Sequence, residues 1–297
     1  MKQAVLGTLV YFHLFEVPLT RSEISEHLFF AEPDEEKISI YLKESPLVQL
    51  VEGYYSLSKE PDFHAKFFEK VQRARRLWKK IRRWQWIFSI CPFVKLVCVC
   101  NSLPIYAASE DSDIDLLVVT KKNRLFLARL CLTILTGLFG VRRHGNKIKD
   151  RFCLSFYVSE DHLNFKDLAL EPYDIYLAFW IKTLEPIAGD YRIYEKIFED
   201  NHVWLDEYFK TLTLHRRYFR KSSGFQGKVK NFFEKYLNRD DWEEKSKQKQ
   251  IRRAKEKYYG LKDRSGTVIS ETVLKFHDYD RRKEIRKDWV TLLDQLL

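Results

Sequence analysis

Between residues 96 and 120 the chain reads LVCVCNSLPIYAASEDSDIDLLVVT, and no other stretch restricts the fold as strongly. A short β-branched run at 94–100, bounded by turn residues, predicts a buried strand, and 114–119 predicts a second. Between them lie Asn101-Ser102, ten residues of loop or short helix, and then Asp113-Ile114-Asp115. Side chains alternate along a strand, so Asp113 and Asp115 project to one face while Ile114 and Leu116 enter the core. Two carboxylates held this way repel each other and are costly without a cation. Together they can hold a divalent metal and leave positions open for phosphate oxygens. The small Ser102 suits a turn whose hydroxyl and backbone N–H groups point at phosphate. The plainer alternative is a solvated entry to the strand, with Glu110 and Asp111 adding surface charge. The apolar strand that follows Asp115 and the strand that precedes the loop argue against it.

Upstream, residues 3–15 carry a helical apolar pattern, Ser22 caps or begins a second helix to about 29, and Pro33-Asp34 opens a third through 43. LVQLV and YYSLS then alternate as two short strands around Glu52-Gly53. Three helices and a hairpin are the order of a winged helix, assigned to residues 1–60. Its third helix begins Asp34-Glu35-Glu36 and would meet phosphates with like charge, so a structural or protein-contact role suits it better than DNA reading. Residues 61–92 are expected as a linking helix, with Phe63, Phe67, Phe68, Val71, Leu77 and Ile81 near helical spacing and Pro92 at its end. In the core, 93–165, apolar residues recur all round 123–140, which predicts a covered helix, and 151–159 alternate as a third strand. Residues 166–297 are expected to be a helical C-terminal region, with helices over 174–184, 191–199, 203–212, 228–237 and 242–259. Asp278 or Asp280 would cap a last helix after a connection at 267–270. The expected class is α/β in the α+β sense, with a small mixed sheet.

The 297 residues are 45% hydrophobic with few glycines and prolines, enough to fill a core and to exclude disorder or a fibrous repeat. The net charge of +10 is unevenly placed. Acidic residues crowd the N-terminal module, leaving it open to a protein partner. Basic residues gather in RARRLWKKIRR, 73–83, and between 215 and 264, where Tyr218, Phe219, Phe232 and Phe233 are interleaved. Such segments either bind nucleic acid phosphates or form the solvated faces of amphipathic helices, and the second reading is favoured for each. Cys91, Cys98, Cys100, Cys131 and Cys153 lack zinc-type spacing and have apolar neighbours, as expected of buried thiols in a reducing cytoplasm. The apolar stretches at 84–100 and 125–141 contain Pro92 and Lys95, and Arg129, so a cytoplasmic protein without a membrane span is expected.

With these residues in place, segment 94–120 resembles the core of the polymerase-β-like nucleotidyltransferase superfamily. Its pattern is Gly-Ser or Gly-Gly after a strand, a spacer of this length, then Asp-hydrophobic-Asp/Glu-hydrophobic. Ser102 matches the second position, Asp113 and Asp115 the metal-binding pair, and Ile114 and Leu116 the hydrophobic residues; Asn101 stands where glycine is usual. In layout the resemblance extends to about residue 160, and more loosely the whole chain resembles bacterial proteins that join a winged-helix-like N-terminus to such a domain. The resemblance implies an enzyme using Mg²⁺ or Mn²⁺ to move a nucleoside monophosphate from an NTP to a hydroxyl of a small molecule, a protein side chain or an RNA end. Asp113 and Asp115 would be its catalytic and metal residues. Asn101, Ser102, Arg143 and Lys147 would contact the nucleotide, the last two from the basic loop 142–149. The superfamily commonly adds a third carboxylate from a neighbouring strand. Here that strand offers Cys153, Ser155 and Tyr157 inward, with Asp150 and Glu160 the nearest acids. Without a third acid the alternative is an inactive relative, serving as a nucleic-acid-binding regulator or a partner-binding scaffold.

Overall fold

The computed structural model describes residues 1–258, 266–276 and 280–297. Its first helix, α1 (Lys2–His13), is apolar almost without a break from Ala4 to Phe12 because that whole stretch is buried. Thr20, rather than Ser22, caps α2 (Arg21–Glu26), and Glu23 returns the bond to the cap. Asp34 caps α3 (Glu35–Glu44) by accepting from the Lys37 N–H at 3.0 Å. β1 (Gln49–Val51) and β2 (Tyr54–Ser56) form a hairpin turned at Glu52-Gly53, both with positive φ as a tight two-residue turn requires. In α4 (Phe63–Trp84), Ala74, Leu77, Trp78 and Ile81 are buried while Arg75, Arg76, Arg82 and Arg83 are exposed, so this basic run is the solvated face of an amphipathic helix. The helix breaks at Gln85, and α5 (Trp86–Ile90) follows.

β3 (Val94–Val99), β4 (Ile114–Thr120), α6 (Leu125–Leu138) and β5 (Phe152–Ser159) form where the sequence pattern placed them. Downstream come α7 (Ile175–Lys182), β6 (Glu185–Gly189), α8 (Tyr191–Leu205), α9 (Gly224–Leu237), α10 (Asp240–Tyr258), β7 (Thr267–Ile269), β8 (Val273–Phe276) and α11 (Arg282–Leu296). The region expected to be helical therefore also supplies three strands. The connection expected at 267–270 is largely the outer strand β7, and α8 absorbs only the start of the helix expected at 203–212. Residues 259–264 of the second basic stretch, and His277 and Asp278 before the last helix, lie outside the described residues. Asp280 does not cap the last helix: Arg281 holds the N-cap position with no side-chain cap bond, and Asp280, one residue earlier, accepts from the Arg282 N–H at 3.1 Å.

The strands make one mixed sheet of order β6-β3-β4-β5-β8-β7, in which β4 and β5 are parallel and the other pairs antiparallel. One face sends Leu96, Cys98, Leu117, Val119 and Phe156 into a core shared with α1, α7, α8 and α11. The other sends Val97, Val99, Leu116, Val118 and Tyr157 against α4, α5 and α6. The chain's first and last helices meet in the first core, where the Trp289 indole N–H donates to the Gly7 carbonyl at 2.8 Å. β6 ends at Gly189, whose φ of +115° and approach to the Lys95 carbonyl leave no room for a Cβ. Four of the five cysteines are buried and Cys131 is half-buried, all with free thiols. Among the described residues no helix is long and apolar enough to cross a membrane.

A buried ionic group fixes α7 against α11. Asp174 caps α7 by accepting from the Leu177 N–H at 2.9 Å, and its second oxygen accepts from the Leu170 N–H at 3.0 Å and from Arg282 at 2.8 Å. Arg282 also grips both oxygens of Asp280 and donates to the Leu168 carbonyl at 2.7 Å. Removing one member strands a desolvated charge. Asp174→Ala is expected to lower the free energy of unfolding by about 3–5 kcal/mol, measured by guanidinium titration followed by circular dichroism.

Candidate functional site

The site grows out of the pairing of β3, β4 and β5. Asp115 lies in β4 directly opposite Cys153 of β5, and its carbonyl accepts from the Cys100 N–H at 3.1 Å. Asp113 lies just before the strand, where the Ile114 N–H donates to the Arg151 carbonyl at 2.8 Å. Alternation puts both carboxylates on the face shared with α7, and ligand atoms of Asp113, Asp115 and Cys153 all fall within 4.8 Å of one another. Among the described residues this is the one such cluster of potential metal ligands.

Asn101 follows β3 with φ +63°, the left-handed conformation for which glycine is usual and which asparagine tolerates best among the larger residues. Its side chain gains a role that glycine lacks. The amide N–H₂ donates to Asp115 Oδ2 at 2.7 Å, and the Tyr176 hydroxyl donates to Asn101 Oδ1 at 3.2 Å. Arg143 donates to Asp113 Oδ2 at 2.6 Å and points at the Cys153 sulfur at 3.6 Å. Its backbone N–H donates to the Phe152 carbonyl at 2.9 Å, which ties the basic loop to β5. Burial, and next the charge of Asp113, push the Asp115 carboxyl up to about 6, against the pull of the Asn101 amide and Arg143. Burial and the two carboxylates push the Cys153 thiol up to about 12, so it is neutral at physiological pH. Burial and the Asp115 charge likewise raise Tyr176, which stays a donor to Asn101.

The structure brings Asn101, Asp113, Asp115 and Arg143 together, with Ser102 beside Asn101 in the chain, and holds Lys147, Glu160 and Asp150 in other contacts. Ser102 is half-buried next to Asn101; its carbonyl accepts from the Ala107 N–H at 2.9 Å, and among the described residues its hydroxyl makes no hydrogen bond. Lys147 is exposed on the turn closed by reciprocal backbone bonds with His144, and is not among the described residues lining the cavity described below. Glu160 lies at the far end of β5, where it accepts from the Lys122 N–H at 3.0 Å and sits 3.4 Å from the Lys95 ammonium. Asp150 is held before β5 by its N–H on the Ser112 carbonyl at 3.0 Å, outside the ligand cluster. Among the described residues the third potential ligand beside the two carboxylates is the Cys153 thiol, and no third acid joins them.

Tyr157 is not on this face. Between the pairs Asp115–Cys153 and Leu117–Phe156, β5 carries one residue more than β4. This bulge shifts the alternation, so Phe156 joins the core with Leu117 while Tyr157 packs on the opposite face with Phe152.

Asp115, with Asn101, Arg143 and Cys153, opens onto a cavity of about 1070 Å³, lined by β5, β8 and helices α6, α7, α10 and α11. Tyr176 and Trp180 of α7 line it beside Asp115. Their apolar helix reads as core in the sequence and gives no sign of proximity to Asn101. The described lining holds eight Arg and Lys side chains against two carboxylates, Asp115 and Asp280. No protein-family model, curated protein or solved structure was found to match the chain.

The raised Asp115 pKa sets the direction of a pH effect in metal-free protein. The folded state favours the protonated carboxyl, so this group's contribution is present at low pH and is lost as pH rises through about 6. Asp115→Asn removes the repulsion and keeps an acceptor for Asn101. In EDTA its stability relative to wild type should rise by about 1–3 kcal/mol between pH 4 and pH 7, measured by urea titration at both values.

Proposed function

We propose that this chain is a metal-dependent nucleotidyltransferase, moving a nucleoside monophosphate from an NTP to a hydroxyl of an acceptor. The observation that carries this reading is the pairing of Asp113 with Asp115, which itself lines a cavity where eight Arg and Lys side chains stand with only Asp115 and Asp280 as carboxylates among the described lining. A nucleoside triphosphate and its divalent ion need both: carboxylates for the ion and cations for the phosphates. The three helices and hairpin at the N-terminus support the winged-helix reading of residues 1–60, and the free thiols suit a reducing cytoplasm.

The donor set decides which ion fits. Mg²⁺ and Mn²⁺ take oxygen ligands, and one or two carboxylates suffice when water and phosphate supply the rest. Asp113 and Asp115 meet that need, whereas the neutral thiol of Cys153 does not serve a hard cation. When bound there, such an ion supplies charge neutralisation and polarises the reacting phosphate. The chain's own residues prepare the rest. Asn101 and Tyr176 fix the rotamer of Asp115, Arg143 can exchange a carboxylate for a phosphate with the same planar geometry, and the Ser102 hydroxyl is available as a phosphate contact.

Cys153 favours a second reading, in which the chain binds nucleotide without turnover and acts as a regulator or scaffold. A thiol pushed up to about 12 is no general base at neutral pH. Calorimetry with a non-hydrolysable NTP tests the shared premise. Wild type should bind in Mg²⁺ and not in EDTA, and Asp113→Ala should lose at least about tenfold in affinity. Equal binding by that variant would sink both readings. Cys153→Asp supplies the missing oxygen ligand and is expected to tighten Mg²⁺ binding by about tenfold. Pyrophosphate release from NTP by the wild type supports the enzyme, and release by Cys153→Asp alone supports the inactive relative.

A further inference from the structure

The cavity extends well beyond the carboxylates. Lys275 of β8 pairs with Phe156 of β5, which pairs with Leu117 of β4, so Lys275 stands two strands from β4 on the face that carries Asp115. Strand spacing and rise place its Cα roughly 12 Å from that of Asp115. Around it the lining is basic: Arg253 and Lys257 come from α10, Arg281 from beside α11, and Arg142 from the loop nearer the carboxylates.

Lys275 is the most constrained of these groups. It is 6% exposed, and among the described residues its polar partner is Asp280, with Nζ 3.8 Å from Oδ2. That is an ion pair beyond hydrogen-bond length. Asp280 is itself engaged by Arg282, which donates to both of its oxygens at 2.7–3.0 Å. A buried ammonium thus lines a cavity with its hydrogen-bonding capacity unfilled, an arrangement that is costly until an acceptor arrives. Burial and Arg282 lower its pKa to about 8, which leaves it charged at neutral pH. Phe156, Trp180 and Ile285 line the same cavity and can cover the apolar body of an organic ligand.

We propose that the Lys275 end of the cavity binds the phosphate group of a phosphorylated small molecule, and that this molecule is the acceptor. Its role as acceptor rests on the transferase reading; the binding of phosphate at Lys275 does not. The volume of about 1070 Å³ lies at the top of the range of ligand sites, about 300–1,000 Å³, and the two-strand separation of Lys275 from β4 leaves space for a second ligand beside a nucleotide. A terminal phosphate of RNA would offer the same chemistry and is the competing source.

The test uses the full chain in EDTA, with phenyl phosphate as probe and calorimetry as readout. Phenol and a 5′-phosphorylated oligonucleotide form separate arms. Wild type should bind phenyl phosphate at one site and fail to bind phenol. Lys275→Met should weaken binding by about tenfold or more, as expected for loss of a charged hydrogen bond. Should Lys275→Met fail to fold, the exposed Arg253→Glu supplies the result, with a loss of several-fold expected from charge reversal. Unchanged binding by a folded Lys275→Met protein, or absence of phenyl phosphate binding by wild type, overturns the subsite. Binding of the oligonucleotide alone overturns the assignment to a small molecule. Phenyl phosphate binding without Mg²⁺-dependent NTP binding leaves the subsite standing and removes the transferase reading.

Discussion

Two carboxylates on one face of one strand entry are the constraint around which this site is organised. Sheet pairing fixes Asp113 and Asp115 beside β5, where neither can turn fully to solvent; Asp113 is 14% exposed. The surroundings therefore answer the repulsion locally. Arg143 takes one oxygen of Asp113, the Asn101 amide takes one of Asp115, and burial together with the remaining repulsion from Asp113 appears as the raised pKa of Asp115. An arrangement that stays partly uncompensated is poised for a cation. That poise is the physical content of the metal-site proposal.

Orientation of Asp115 is relayed from far along the chain. Asp174 starts α7, α7 carries Tyr176, Tyr176 donates to Asn101, and Asn101 donates to Asp115. Arg282 anchors the first step by clamping Asp174 and Asp280 together in the core. Damage at the start of α7 should therefore reach the carboxylates without touching them.

The central strands were readable because they are short, β-branched and bounded by turn residues, and the spacing of Asp113 and Asp115 put both on one face. Strand β6 was not. Pro186 in a five-residue run looks like a linker, and only its position at the sheet edge makes it compatible with a strand. Sequence alternation puts Tyr157 on the wrong face because a bulge leaves no mark in a run such as FCLSFYVS, where both faces are largely buried. The cavity was also invisible in sequence. Lys275, Arg253 and Tyr176 come from three separate regions, and their proximity is a product of sheet order and helix docking.

Pro186 has a further effect on how the molecule can meet other chains. An open sheet edge is a template on which a foreign strand can pair, provided its N–H and C=O groups are available. Along β6 the proline lacks a donor, while the Ile187 carbonyl already accepts from the Arg220 N–H at 3.2 Å and from the Gln85 amide at 3.2 Å. Arg220 also forms an isolated parallel bridge with Ala188. This margin of the sheet is sealed by its own chain, which protects the face holding the carboxylates from being extended, and so distorted, by strand exchange between molecules.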